Sequence, residues 1–216
     1  MRYLMHNREA SLKLEKRIKD YFLKIKTIEI KINFLNKEYI GIVDVESFRW
    51  LSNFDCFNCL TNCCVQFPYN FNSKAREVIL NNLKEYNELT KAVSIMKEEG
   101  MTLEEIIDTK PFWCSIYPLE MIEDGNKLYI FVPTQGNNFL SMNDCDFPCM
   151  NIEKAKSPYF RRENPIGFKI GEYKAFIENY YSVLNYIFGD EFTEKILEKL
   201  EITIEKIEDE QYIKKR

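Results

Sequence analysis

The residues whose type and spacing could do chemistry are cysteines, four of which lie in the short stretch DCFNCLTNCCV at residues 55–65. Cys56, Cys59 and Cys63 follow an i, i+3, i+7 spacing, which places three thiols on one side of a helical turn. The two-residue gap between Cys56 and Cys59 also lets two sulfurs reach one tetrahedral ion. Cys64 would point away from such a turn, whereas a loop could bring it round. The stretch predicts a metal–thiolate site.

Further along the chain, three more cysteines could each close the site as a fourth ligand: Cys114, Cys145 and Cys149. A metal that joined residues 56–64 to residues 114–149 would close a loop of roughly fifty to ninety residues, so its binding free energy would also be folding free energy. The candidate metal ligands are therefore all seven cysteines.

The ligand chemistry favours soft metals, because the only histidine, His6, lies near the N-terminus, where we expect it to be solvated. An all-thiolate site suits an iron–sulfur cluster and zinc alike. Aromatic neighbours such as Trp50, Phe54 and Phe67 fit a cluster shielded from water, although they also fit an ordinary core. We predict an iron–sulfur cluster of the 4Fe-4S kind, with zinc as the alternative.

The crowded thiols could also arise in two ways that involve no metal. A disulfide framework fits poorly, because the cysteine count is odd and a chain of 216 residues can fold without covalent links. It would gain weight in a hyperthermophile, where cytosolic disulfides do occur. Ordinary burial in the core is the second way, but packing alone does not account for four thiols within nine residues.

Other chemistries find no support in the sequence. The cysteine spacing matches neither ferredoxin pattern nor the CxxxCxxC of radical-SAM enzymes. Glycine-rich nucleotide-binding motifs are absent, and one histidine gives no Ser/His/Asp or Cys/His set. Catalytic residues are therefore left unassigned, and no organic cofactor site is predicted.

The segment CFNCLTNCC resembles the opening box, CxxCxx(x)CC, of the YkgJ-type cysteine-cluster family, which is described as a zinc- or iron-chelating domain. KPFWCSIYPLE, residues 110–120, is similar to the later boxes of that family, CxIY and RPxxCRxYP, with Cys114 in the cysteine place. By the same resemblance Cys145 and Cys149 would stand for the final cysteines. The resemblance covers residues 50–150 and implies a ligand type rather than an activity.

The chain departs from that family in several ways. It has seven cysteines where the family often has eight, its two later boxes are merged, and Ser115 stands where an arginine is expected. These departures leave open whether the site holds one metal centre or a reduced form of a larger one. The flagellin lysine methylases carry a similar box and are thought to hold an iron–sulfur cluster, but they are longer, and methyl transfer is not carried over.

Length and composition indicate one compact domain, residues 1–216. Hydrophobic residues make up 45% and aromatic residues 14% of the chain, and no segment is linker-like. Within this domain we assign residues 50–150 to the cysteine-cluster core, which would chelate the metal. Residues 171–216 are assigned to a helical C-terminal extension.

Charge and hydropathy indicate a cytoplasmic protein. No segment has the length and apolarity of a signal sequence or membrane span. A net charge of −4 does not indicate binding to DNA or RNA. We expect a protein partner of unknown identity, no nucleic acid and no membrane. The basic residues near the N-terminus are interpreted as the solvated face of a helix: Lys13, Lys16, Arg17, Lys19, Lys24 and Lys26.

Periodicity indicates the elements that must position the cysteines. Residues 8–26 predict an amphipathic helix, and the alternation in TIEIKINF and YIGIVDV predicts a β-hairpin over residues 27–45. PFWCSIYP and KLYIFVP, separated by EDGN, predict a second hairpin. Further helices are predicted from Ser73 toward Met96, after a capping box at Thr102 and Glu105, from Gly171 to a break at Gly189, and from a cap at Thr193 with its apolar stripe facing the core.

The expected fold is therefore α+β, predominantly helical, with one or two β-hairpins around a cysteine-rich metal site. The function expected first is a metal-binding protein that holds an iron–sulfur cluster, in electron transfer or in metal or protein maturation. The first alternative is a structural zinc protein-interaction module whose partner surface lies in the C-terminal third. The second is a protein-modifying, methylase-like enzyme, which the missing glycine-rich cofactor loop disfavours.

Overall fold

The computed structural model describes residues 1–4, 8–54, 117–139, 147–163 and 165–204. The strands in these ranges are β1 (Arg2–Tyr3), β2 (Arg8–Glu9), β3 (Thr27–Phe34), β4 (Lys37–Asp44), β5 (Leu51–Ser52), β6 (Glu120–Asp124), β7 (Lys127–Phe131) and β8 (Lys174–Ala175). The helices are α1 (Leu12–Phe22), α2 (Ile152–Lys156), α3 (Pro158–Glu163), α4 (Phe176–Phe188) and α5 (Asp190–Leu200). Short 3₁₀ turns lie at Val45–Arg49, Pro148–Met150 and Ile170–Glu172.

The hairpin predicted over residues 27–45 is confirmed. β3 and β4 pair antiparallel along their whole lengths. The turn between them has two residues, Leu35 and Asn36, with φ angles of 51° and 60°. Positive φ at both positions matches the twist of a tight hairpin. In β3 the apolar side chains of Ile30 and Ile32 are buried, so the period-two pattern does mark the core face.

The second hairpin consists of β6 and β7, with Gly125 and Asn126 in the turn. The sequence pattern places the first strand earlier, over residues 111–118, and this placement is wrong because β7 pairs with residues 120–124. Gly125 has a φ of 65°, and a two-residue turn therefore reverses the chain directly after β6. Glu123 and Asp124, which were predicted to lie in the turn, therefore belong to β6.

Both hairpins belong to one mixed sheet. β4 pairs with β7 in parallel, with Ile40 opposite Lys127 and Val43 opposite Ile130. β1 pairs with β6, and β2 pairs with β1, which gives the order β2-β1-β6-β7-β4-β3. A second, two-stranded sheet pairs β5 with β8. The parallel pairing joins segments that are far apart in the chain, so it fixes how the two hairpins sit together.

Helices cover the mixed sheet on both faces. α1 packs on one face, where its Ile18 shares a hydrophobic cluster with Tyr129 and Phe131. α4 and α5 pack on the other face, where they share a larger cluster with Leu128 and Ile130. The side chains of successive residues in β7 thus point to opposite faces of the sheet, and helices cover both faces. This accounts for the continuous apolar run of β7.

The expectation of a predominantly helical protein is wrong. The centre of the described chain is a six-stranded mixed sheet, with a two-stranded sheet beside it and a few helices packed around. Local periodicity detects a hairpin, but it does not detect the β4–β7 pairing, because that pairing joins residues far apart in sequence. It also does not detect β1, which has only two residues and exists through its contact with β6.

The C-terminal helices follow the predicted pattern with corrections. The helix predicted from Gly171 begins only at Phe176, because Ile170–Glu172 form a 3₁₀ turn and Lys174–Ala175 form β8, and the last helix ends at Leu200, where Glu201 takes a left-handed conformation. Gly189 separates α4 from α5, as predicted, and has a φ of 83°. Thr193 is not a helix cap, because α5 begins at Asp190 and Thr193 lies inside it, fully buried. The Thr193 hydroxyl donates to the Asp190 carbonyl at 3.0 Å, a bond that threonine makes inside helices. Ile196 and Leu200 are buried, so the apolar stripe of α5 faces the core as predicted.

Several predictions lie outside the described residues and stay predictions: His6, the helix from Ser73 and the capping box at Thr102. In the ranges that the structure does describe, none of the helices combines the length and apolarity that a bilayer crossing requires.

Candidate functional site

Of the seven candidate metal ligands, the structure describes Cys149. It lies in the 3₁₀ turn Pro148–Met150, is half-buried, and packs against the hydrophobic cluster beneath α4. The other candidates fall outside the described residues: Cys56, Cys59, Cys63, Cys64, Cys114 and Cys145. The geometry that bears on the predicted metal site is therefore that of Cys149 and of the residues that flank the other cysteines.

The turn that carries Cys149 is held by three hydrogen bonds, two from residues 50–53 and one from Tyr173. The Asn53 amide donates to the Cys149 carbonyl at 2.8 Å. The Trp50 indole Nε1 donates to the Met150 carbonyl at 2.6 Å, and the Tyr173 hydroxyl donates to the Pro148 carbonyl. These donors come from separate parts of the chain, so the backbone of Cys149 is fixed by tertiary contacts as well as by its own short turn.

Residues next to the other cysteine-bearing segments meet around Tyr180 of α4. The Phe54 ring, two positions before Cys56, lies 4.9 Å from the Tyr180 ring. The Tyr180 hydroxyl donates at 2.7 Å to the carbonyl of Tyr117, three positions after Cys114. The Tyr117 ring in turn lies 6.3 Å from that of Phe147, two positions after Cys145. The described ends of three cysteine-bearing segments are thus connected through Tyr180 of α4 and Tyr117.

This junction is aromatic. Phe54 also contacts Phe176 edge to face, with ring centroids 5.6 Å apart, and Phe176 packs on Tyr180 at 4.8 Å. Burial raises the pKa of the nearby Tyr173 phenol, and the Cys149 thiol acts in the same direction. Tyr173 therefore stays a neutral hydrogen-bond donor at physiological pH. Such surroundings exclude water from a site that they enclose.

Among the residues that the structure describes, no group of three or more His, Cys, Asp or Glu side chains is placed to hold a metal ion. Six of the seven predicted ligands are not in that part of the chain.

A buried polar centre lies at the end of β4, and the sequence reasoning missed it. Asp44 is 1% exposed, and its carboxylate accepts hydrogen bonds from the Tyr21 hydroxyl at 2.7 Å and the Asn137 amide at 3.2 Å. Burial raises the pKa of Asp44, while these two donors and the Ser47 amide act against that rise. The signal in the sequence was an acid at an inward position of an alternating strand, YIGIVDV. The carboxylate ties α1 and the segment after β7 to the sheet.

A second buried polar pair lies nearby. Tyr3 is 1% exposed and Glu120 is 4% exposed, and both line a cavity of about 10 Å³ beside Asn137. The Tyr3 hydroxyl has no hydrogen-bond partner in the described residues. Burial raises the pKa of Tyr3, and the Glu120 charge adds to that rise. The cavity has about the size that one water molecule needs. Neither residue is recognisable as buried from the sequence alone.

Comparison with protein-family models gave no match. Comparisons with curated proteins and with solved structures likewise gave none. The function of this chain is therefore argued from its residues and their placement.

Proposed function

We propose that this chain is a cytosolic metal–thiolate protein that holds an iron–sulfur cluster through its cysteines and serves in electron transfer or in metal or protein maturation. One observation carries the proposal: described residues that flank Cys56, Cys114 and Cys145 meet around Tyr180, and Asn53 is hydrogen-bonded to the backbone of Cys149.

The lengths of chain that separate the cysteines from this junction are short. Cys56 is two residues from Phe54, Cys145 is two from Phe147, and Cys114 is three from Tyr117. Since an extended chain spans at most about 3.6 Å per residue, each thiol has to lie within roughly 7–11 Å of its anchored neighbour, plus the length of its side chain. The covalent chain therefore allows cysteines from these segments to reach a common metal centre near the junction.

The chemistry of the donors fits such a centre. Thiolates are the ligands that iron–sulfur clusters and zinc prefer. The aromatic residues of the junction, among them Phe54, Phe147 and Phe176, would shield a cluster from water and so tune its reduction potential. When bound, the cluster would supply one-electron chemistry, while the chain's own residues would hold and shield it. The resemblance of residues 50–150 to the YkgJ-type family supports the same type of ligand.

Metal analysis of anaerobically purified protein tests the proposal. We expect brown protein with broad absorption near about 400 nm and roughly four irons per chain, with matching acid-labile sulfide. Colourless protein that contains stoichiometric zinc would reject the cluster in favour of a structural zinc site. Protein that contains neither metal after anaerobic purification would reject the metal–thiolate function itself.

A pair of variants at the described turn locates the site. Cys149→Ser removes one thiol and leaves the turn its hydrogen bonds, so we expect loss of at least half of the bound metal, measured by elemental analysis. Tyr173→Phe is the matched control, because it removes a donor to the Pro148 carbonyl and leaves the thiol in place. We expect that control to keep its metal. Equal metal content in Cys149→Ser and the parent chain would remove Cys149 from the ligand set.

A further inference from the structure

A basic groove runs along the outer side of α1, on the face of the molecule that carries the Asp44 centre. We call it the α1 groove. It has a volume of about 680 Å³, and its lining includes Lys13, Lys16, Arg17 and Lys24, with Asp20 as the acidic member. Lys16 and Arg17 lie three and four residues after Lys13, which places them on one side of α1, and Lys24 follows just after the helix ends at Phe22.

Some basic residues of the described chain are paired with carboxylates, while others, such as Lys31 and Lys127, make no ion pair within the described residues. Lys19, Lys37, Lys156 and Lys195 each lie within 4.0 Å of a carboxylate oxygen. In the described ranges no carboxylate lies that close to any of the four cations of the α1 groove, although Asp20 lines the same groove. The solvated face of a helix usually balances its charges by pairs at i, i+4. In the α1 groove, four cations accompany one carboxylate, Asp20, which lies four residues from Lys16 and from Lys24.

The opposite wall of the groove is rigid. It is formed by the segment after β7, where Gly136 and Phe139 line the groove. The Asn137 side chain is fully buried, and its Oδ1 accepts from the Thr134 amide at 2.6 Å, which holds the bend in place. The Arg17 guanidinium lies 5.6 Å from the centroid of the Phe139 ring, so the wall also orients one of the cations.

We infer that the α1 groove binds a small organic anion that carries two or more phosphate groups. Phosphate groups carry close to two negative charges each at neutral pH and accept several charge-assisted hydrogen bonds, which matches a cluster of cations better than single carboxylates do. The volume lies within the range of about 300–1,000 Å³ that is usual for small-ligand sites.

Two polymers fit the groove less well. A nucleic acid would extend past α1, whose 11 residues span about 16 Å, and would meet the acidic remainder of a chain with a net charge of −4. The rings in the groove are Tyr21, which is half-buried, and Phe139, which is buried, so they offer no open face on which bases could stack. An acidic peptide would spread its single charges along the helix, whereas the groove gathers four cations in one cavity.

Titration of the full chain tests this site. The probe is fructose 1,6-bisphosphate, followed by calorimetry and by amide chemical shifts at about 50 mM salt. We expect one site with its largest shifts at residues 11–24 and 134–139, and at least tenfold weaker binding of inorganic phosphate. Lys16→Ala with Arg17→Ala should weaken binding of the bisphosphate at least tenfold. The control is Lys31→Ala with Lys127→Ala, which removes the same charge from exposed lysines outside the groove.

Four other outcomes of these titrations would contradict the inference. Equal losses in the two double variants would mean that the bisphosphate responds to net charge and not to a site. Tighter binding of a ten-nucleotide oligothymidylate than of the bisphosphate would assign the α1 groove to nucleic acid. Tighter binding of hexaglutamate would assign it to an acidic peptide. No saturable binding of the bisphosphate below about 5 mM would remove the site altogether.

Discussion

Glu123, near the end of β6, accepts hydrogen bonds from side chains of β1 and β4. The donors are the Lys37 ammonium at 2.5 Å, the Tyr39 hydroxyl at 2.8 Å and the Arg2 guanidinium at 2.7 Å. The bond from Lys37 lowers the pKa of Glu123 most, and those from Tyr39 and Arg2 add to it. Although burial opposes the change, the pKa of Glu123 falls to about 2. The folded state therefore prefers the charged carboxylate.

This preference makes Glu123→Gln a test of acid stability. A depressed pKa stabilises the fold at every pH above the unfolded value of about 4.3, and the stabilisation is lost as the pH falls toward about 2. We expect Glu123→Gln to lower the free energy of unfolding at pH 7 by about 1–2 kcal/mol, a figure reduced because Lys37 and Arg2 are half-exposed. In urea unfolding curves the difference should shrink steadily between pH 5 and pH 2.

Glu38→Gln provides the control, since Glu38 is exposed on β4 and makes no ion pair within the described residues. That variant should match the parent chain at both ends of the pH range. A loss for Glu123→Gln that is as large at pH 2.5 as at pH 7 would show that the side chain stabilises the sheet by packing and not by its charge.

At the scale of elements, the junction of α4 and α5 depends on one residue. Gly189 has φ 83° and ψ 165°, a region of the backbone map that is open almost only to glycine. The two helices are in contact directly across it, because the rings of Phe188 and Phe192 stack at 4.5 Å. Both helices also bury residues in the cluster on the sheet. The angle between them is therefore set by a conformation that other residues resist.

Gly189→Ala should lower the free energy of unfolding by about 1–3 kcal/mol, the usual cost of forcing a side chain into this region. Thermal and urea unfolding measure the change. Gly171→Ala is the matched control, because Gly171 is exposed, has no positive φ, and a Cβ there would meet nothing within 4 Å. A Gly189→Ala variant as stable as the control would show that the two helices can repack around a different junction.

Elements were predictable from the sequence where the pattern is local. The alternation of β3, the apolar spacing of α1 and the break at Gly189 are patterns within a few neighbouring residues. The bounds of α1 were nevertheless wrong, because it covers Leu12–Phe22 and not residues 8–26, and Arg8–Glu9 form β2. β1 and the parallel pairing of β4 with β7 were not predictable in this way, since they exist through contacts between distant segments. Thr193 was misassigned because a threonine that bonds to the previous helical turn resembles a cap in sequence.

The candidate metal site was predictable from the sequence in its cysteines but not in the residues that surround them. The cysteines stand out by type and spacing, whereas the residues that hold the turn of Cys149 do not. Trp50, Asn53 and Tyr173 reach that turn from segments on either side of it in the sequence. Buried polar residues such as Asp44 were missed because an acid in a sequence is normally expected on the surface.

On the scale of the whole molecule, the proposed metal would connect segments that lie far apart in the chain. Its removal should therefore lower stability as well as change colour. With a chelator under anaerobic, reducing conditions, we expect the melting temperature to fall by roughly 10 °C or more, since several kcal/mol of binding free energy are also folding free energy. Differential scanning calorimetry measures the shift.

The Cys149→Ser variant is the reference for this experiment. Because this variant is expected to lose at least half of its metal, the chelator should lower its melting temperature by correspondingly less than that of the parent chain. An unmodified chain that melts at the same temperature with and without its metal would show that the centre does not join the segments, whatever its colour.

The parallel pairing of β4 with β7 also governs how the protein is made. β4 lacks its inner neighbour until Ile130 has been synthesised, and at about 5–20 residues per second the intervening chain of roughly 90 residues takes several seconds to appear. During that interval the β3–β4 hairpin presents an apolar face and an unpaired strand edge, the features through which nascent chains aggregate. The cysteine-rich stretch leaves the ribosome within the same interval, before β6 and β7 exist. Newly made chains should therefore depend on chaperones for those seconds.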